Sequence, residues 1–109
     1  MNNFEVTLLF SPDNSTQNIG KIEETFAKLI TDNGGSVINK EEWGLRDIAY
    51  KLQEYNKAFY NFYQISIEGN KIQIIKKNLS LNEKILRFLF IKVDEHEKLP
   101  TKIMKSEEN

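Results

Sequence analysis

Ala58-Phe59-Tyr60-Asn61-Phe62-Tyr63-Gln64-Ile65-Ser66-Ile67 decides the fold. The stretch concentrates aromatic and β-branched side chains that suit a pleated, half-buried surface, so it reads as a strand. Successive strand side chains point to opposite faces: Phe59, Tyr63, Ile65 and Ile67 share one, and Tyr60, Phe62, Gln64 and Ser66 share the other. With Ile65 and Ile67 packed under helices, Tyr60 and Phe62 are left on the open side of the sheet. Asn61 breaks the apolar face, which predicts a bulge there or a strand end beyond the helices.

Upstream, a polar turn from Gln53 to Lys57 separates this strand from a long strand-like stretch, Ser36 to about Leu52. Its apolar residues Val37, Ile38, Trp43, Ile48 and Tyr50 fall on both parities, and Gly44 in the middle suggests a bulge or bend. Further back, Ile19, Ile22, Phe26, Leu29 and Ile30 recur at three- and four-residue spacing, which predicts an amphipathic helix over about residues 16 to 33. Ser15, or Asn14 with Gln17, can cap its free N–H groups, and Asn33-Gly34-Gly35 ends it. Phe4, Val6, Leu8 and Phe10 alternate as a first strand, which Ser11-Pro12-Asp13-Asn14-Ser15 terminates.

Downstream, Glu68-Gly69-Asn70 resets the chain, and Asn70 with Gln73 offers a cap before Ile72, Ile75 and Leu79 at helical spacing. A last strand runs from Ile85 to Val93. The order strand, helix, strand, strand, helix, strand is the α+β, ferredoxin-like split βαβ pattern (βαββαβ), with a four-stranded antiparallel sheet and both helices on one face. Phe26, Ile30, Val6, Leu8, Ile65 and Ile75 are the expected core. Residues 1–93 make one domain; 94–109 is polar apart from Leu99, Ile103 and Met104 and is expected to be a disordered tail.

The 109 residues suffice for one core, and 39% hydrophobic with 28% charged residues is ordinary for a soluble domain. No stretch approaches the apolar length of a membrane helix, and the N-terminus carries no legible secretory signal, so a cytoplasmic protein is expected. The absence of cysteine excludes disulfide scaffolds, thiolate metal sites and thiol catalysis. A net charge of −1 argues against a protein that binds nucleic acid through a large positive excess, so any RNA contact is a local patch.

No constellation points to catalysis. His96, the one histidine, stands in Asp94-Glu95-His96-Glu97 within the expected tail, where a metal site would lack rigid ligands. Glu23-Glu24 and Glu41-Glu42 are chain neighbours whose side chains point apart, so neither forms an acid/base pair. An anion-binding enzyme of this topology needs a cradle before the first helix, and Ser11-Pro12-Asp13-Asn14 offers a carboxylate and no arginine. Lys57-Ala58-Phe59-Tyr60-Asn61-Phe62-Tyr63 loosely echoes the aromatic strand with which RNA-recognition modules stack on bases. Lys40, Arg46, Lys51 and Lys57 near the middle strands and Arg87 and Lys92 on the last are scattered single charges, most often surface decoration, and by themselves they indicate only a binding module. Neither a metal nor a cofactor is expected.

Trp43-Gly44-Leu45-Arg46-Asp47-Ile48-Ala49-Tyr50-Lys51-Leu52 resembles the signature of the bacterial small ribosomal subunit protein six family. Phe4-Glu5, Pro12-Asp13, Gly34-Gly35, Phe59-Tyr60 and Leu81-Asn82-Glu83-Lys84-Ile85-Leu86-Arg87 fall where that family has landmarks, so the likeness runs from about Phe4 to Val93. The resemblance implies a structural constituent of the small subunit that binds the central domain of its ribosomal RNA together with ribosomal protein eighteen. RNA would be met by Arg46, Lys51, Lys57, Arg87 and Lys40, and the partner protein by Tyr50, Tyr60 and Phe62. Asp47 departs from the pattern, standing where a basic residue is usual, and Ala58 replaces a usual glycine. The alternative is a free-standing single-stranded RNA-binding module that uses the open sheet face.

Overall fold

A computed structural model describes residues 1–52 and 54–101, and for residues 49–52 the backbone alone. The chain forms β1 (Asn2–Phe10), α1 (Thr16–Asp32), β2 (Ser36–Leu52), β3 (Tyr55–Ile67), α2 (Ile72–Ser80) and β4 (Ile85–Val93). The strands make one antiparallel sheet in the order β2-β3-β1-β4, the expected ferredoxin-like arrangement. Phe4, Val6, Leu8 and Phe10 of β1 and Tyr63, Ile65 and Ile67 of β3 pack with Ile22, Phe26 and Ile30 of α1 and Ile72, Ile75 and Leu79 of α2. Every core residue expected from periodicity is buried.

Ser15 caps α1 by accepting a hydrogen bond from the Asn18 N–H, and Gly34 at φ +82° carries the chain out of the helix through the left-handed region. At α2 the expected Asn70 cap is absent. A 3-10 turn, Gly69–Lys71, leads into the helix, with no side-chain cap at either start. Instead Asn2 Oδ1 accepts from Gly69 N–H at 3.1 Å, tying the turn to β1.

The turn after β2 is tighter than the sequence indicates. Leu52 pairs with Tyr55, so β3 begins three residues before Ala58 and the hairpin extends past the end of β1. Asn61, expected at a bulge or strand end, instead stays in register with Leu8 of β1. It is buried because its side-chain amide donates to Glu23 Oε1 at 2.8 Å. The irregularities lie across from it, in β2, where register shifts fall between Val37 and Asn39 and between Glu42 and Gly44. Gly44, at φ +77°, supplies the backbone that the second shift requires.

Candidate nucleic-acid and protein interface

Of the three register shifts in β2, the last of which falls between Asp47 and Leu52, the first two decide what the strand shows on each side of the sheet. Val37 pairs with Ile65 of the core face, but after the first shift Lys40 lies opposite Tyr63 and so also points towards the helices. There its ammonium pairs with Glu23 and lies 3.7 Å from Glu42. The bond to Glu23 raises the Lys40 pKa above its usual value. Glu23, Lys40, Asn61 and Tyr63 line a cleft of about 530 Å³ beside α1, and the first three satisfy one another. Burial, and then the nearby Glu23 charge, push up the Tyr63 hydroxyl, which among the described residues has no partner in hydrogen-bond geometry.

After the second shift the parity reverses. Gly44 faces Tyr60 and Arg46 faces Ala58, so Arg46 is returned to the helix-free side. Trp43, at the shift itself, lies over that side. Its ring stacks on Phe62 with centroids 5.1 Å apart and on Tyr60 at 6.4 Å. Phe62 is therefore buried, although it faces away from the helices, and Tyr60 is half-buried. Arg46 Nε donates to the Trp43 carbonyl at 3.1 Å, which holds the guanidinium beside the aromatic stack.

Arg87 occupies the opposite edge. It pairs with Leu9 of β1, which pairs with Tyr60 of β3, so Arg87 and Arg46 bracket the same end of the helix-free face across three interstrand steps of about 4.8 Å. Both arginines also have interactions within the chain. Beside Arg87 on β4, Leu89 and Ile91 are 49% and 51% exposed, leaving an apolar strip at the sheet edge. Lys57 pairs with Asp47 across the hairpin, Nζ to Oδ1 3.8 Å, both exposed to solvent. The side chains of Tyr50 and Lys51 lie outside the described residues.

Glu41 organises this face. Trp43 Nε1 donates to one of its oxygens at 2.9 Å, and Thr101 donates to both oxygens. Burial opposes ionisation of Glu41, but the bonds from Trp43 and Thr101 outweigh it and hold the carboxyl below its usual pKa. The sequence dismisses Glu41 with Glu42 as an acid/base pair and places Gln64 on the open parity of β3, but it assigns neither a role, because a strand carboxylate and amide carry no further signal until their partners are known. Among the described residues, no group of three or more acidic, histidine or cysteine side chains could hold a metal ion. The loop before α1 presents a carboxylate: Tyr55 donates to Asp13 at 3.0 Å, and bonds from Ser11 and then Tyr55 hold the Asp13 carboxyl below the usual range.

The family model described as ribosomal protein S6 matches residues 3–92. The chain belongs to the ribosomal protein S6 family. Small ribosomal subunit protein bS6 of Rickettsia felis is 39% identical over 107 residues, covering 98% of this chain and 88% of that protein. The Rickettsia prowazekii protein of the same name is 39% identical with the same coverage, and that of Rickettsia bellii is 36% identical over 98% of this chain and 89% of its own. The crystal structure of 30S ribosomal protein S6 from Thermotoga maritima superimposes with a TM-score of 0.81, covering 98% of this chain and 94% of that one at 18% identity. That likeness supports the fold.

Membership in the ribosomal protein S6 family makes the chain a protein of the small ribosomal subunit. It is a component of a ribonucleoprotein particle that works in translation on ribosomal RNA in the bacterial cytoplasm, and it is not an enzyme. Among the described residues no helix is long and apolar enough to cross a membrane.

Proposed function

We propose that the chain binds the central domain of the small-subunit ribosomal RNA jointly with ribosomal protein eighteen of the small subunit. Arg46, Lys51, Lys57 and Arg87 meet phosphates, and Tyr50 and Tyr60 belong to the protein contact, with Phe62 supporting that surface from beneath Trp43. The observation that carries this reading is the helix-free face itself, where Arg46 and Arg87 bracket an aromatic cluster built on Trp43, Tyr60 and Phe62. Four phosphate contacts, one of them from a lysine already paired with Asp47, on a chain of net charge −1 give little counterion release, so useful affinity requires a basic partner alongside. Lys40, facing the helices, would reach RNA only after leaving Glu23.

A free-standing base-stacking platform fits less well. Phe62, which would have to receive a base, is already covered by Trp43. Reversal of charge tests the assignment: Arg46→Glu is expected to weaken the complex of RNA and both proteins and to flatten its salt dependence by about one or two phosphate contacts' worth of slope. An unchanged affinity and slope at low salt would remove Arg46 from the RNA site.

A further inference from the structure

Residues 94–101 turn back over the helix-free face after β4 and cross it as far as β2. The Glu97 N–H donates to Glu5 Oε2 of β1 at 2.9 Å, and Gln64 of β3 donates to the Glu97 carbonyl at 2.6 Å and to Glu5 at 3.0 Å. His96 Nε2 lies 3.0 Å from the Ile65 carbonyl, beside the first register shift of β2. Thr101 gives its N–H and its hydroxyl to the Glu41 carboxylate of β2 at 3.0 and 2.7 Å. Gln64 and Thr101 are buried as a result.

This segment has no helix or strand of its own, and its fastenings to Glu5, Gln64 and Glu41 are hydrogen bonds. Each such bond has a modest net worth, and a segment held this way opens locally without unfolding the domain. Beneath it, the two carboxylates that hold it, Glu5 and Glu41, would repel phosphate but would accept N–H groups from a basic polypeptide. Glu41 also anchors the Trp43 ring over Phe62, so the strap and the aromatic cluster share a fastening.

We propose that residues 94–101 are a latch over a protein-docking subsite, closed in the free chain and displaced when a basic partner supplies its own N–H donors to Glu5 and Glu41. This rests on the reading of the helix-free face as the shared interface, with ribosomal protein eighteen of the small subunit as the partner. A closed latch lowers apparent affinity by the fraction of molecules in which it is open.

The chain has no cysteine, so a Gln64→Cys/Glu97→Cys variant, which fastens the strap to β3 and leaves Glu5 and Glu41 in place, can be bridged by a bifunctional thiosulfonate reagent and released with reductant. Calorimetric titration with ribosomal protein eighteen is expected to show binding weakened by about tenfold or more in the bridged form and restored on reduction. Equal affinity before and after reduction would overturn the gating role, as would tighter binding of an RNA fragment alone once the bridge is cut. Amide exchange on the unaltered chain is read alongside and should show Glu97 and Thr101 protected, with opening far more frequent than global unfolding. Unprotected amides would overturn the latch itself. Protected amides in a chain that never binds this partner would overturn the interface reading, and the gating role with it.

Discussion

Phe26 meets the Tyr63 ring at 4.8 Å between centroids, and these side chains join α1 to the middle of the sheet. Replacing Phe26 with alanine removes a buried ring and leaves a cavity, so a loss of about 3 to 5 kcal/mol is expected in denaturant unfolding. A loss below roughly 1 kcal/mol, typical of surface sites, would mean the helix presents another face. Tyr63 makes the opposite case. Among the described residues its buried hydroxyl has no hydrogen-bond partner, so Tyr63→Phe deletes a group that costs stability, and a change between about zero and 1 kcal/mol in the stabilising direction is expected from the same measurement. Both core positions were legible from strand and helix period. The unpaired hydroxyl was not, because it depends on where Glu23, Lys40 and Asn61 find one another.

Strand period located all four strands, and the three- and four-residue spacing located both helices. The sequence misplaced the ends where no core lies beneath them. The tip of the β2–β3 hairpin extends beyond β1, so Tyr55, Asn56 and Lys57 have no buried face to impose alternation and read as a turn. The faces of β2 were harder still, since one extra residue sends every later side chain to the other side. Lys40 and Arg46 look equivalent in the sequence; the shift at Glu42/Gly44 between them puts one under α1 and the other on the helix-free face.

The strap has consequences of its own. Glu41 has a lowered pKa in the fold, so its contribution is fully present above the ordinary value of 4.5 and is lost as pH falls through the lower folded value. The protection factor of the Thr101 amide should accordingly be constant above about pH 5 and decline in acid, and Glu41→Ala should abolish that protection at every pH. Protection maintained undiminished in strong acid would separate Thr101 from the carboxylate. Ending the chain at Val93 should preserve cooperative unfolding and reduce stability by about 1 to 3 kcal/mol, the net worth of a few hydrogen bonds offset by the entropy of ordering the segment. Loss of the cooperative transition would mean the strap belongs to the core. Its composition, polar with one histidine and several acids, disguised this role, because hydrogen bonds to Glu5 and Glu41 leave no hydrophobic pattern to read.

For the molecule as a whole, charge is the governing quantity. A chain with 15 basic and 16 acidic residues can bind a polyanion only by concentrating its cations locally and borrowing more from a neighbour. Arg46 and Arg87 lie at one end of the helix-free face and Glu5 and Glu41 further along it, and on the proposed reading the first part meets phosphate and the second a basic protein. The family likeness was legible in the stretch from Trp43 to Leu52, whereas this division depends on the register of all four strands. Titration of a central-domain RNA fragment with this chain, in the presence and absence of ribosomal protein eighteen of the small subunit, tests joint binding most directly. Joint binding predicts weak association alone and at least about a tenfold gain with the partner present, a coupling of about 1.4 kcal/mol. Equal affinity of this chain for the RNA with and without the partner would contradict it.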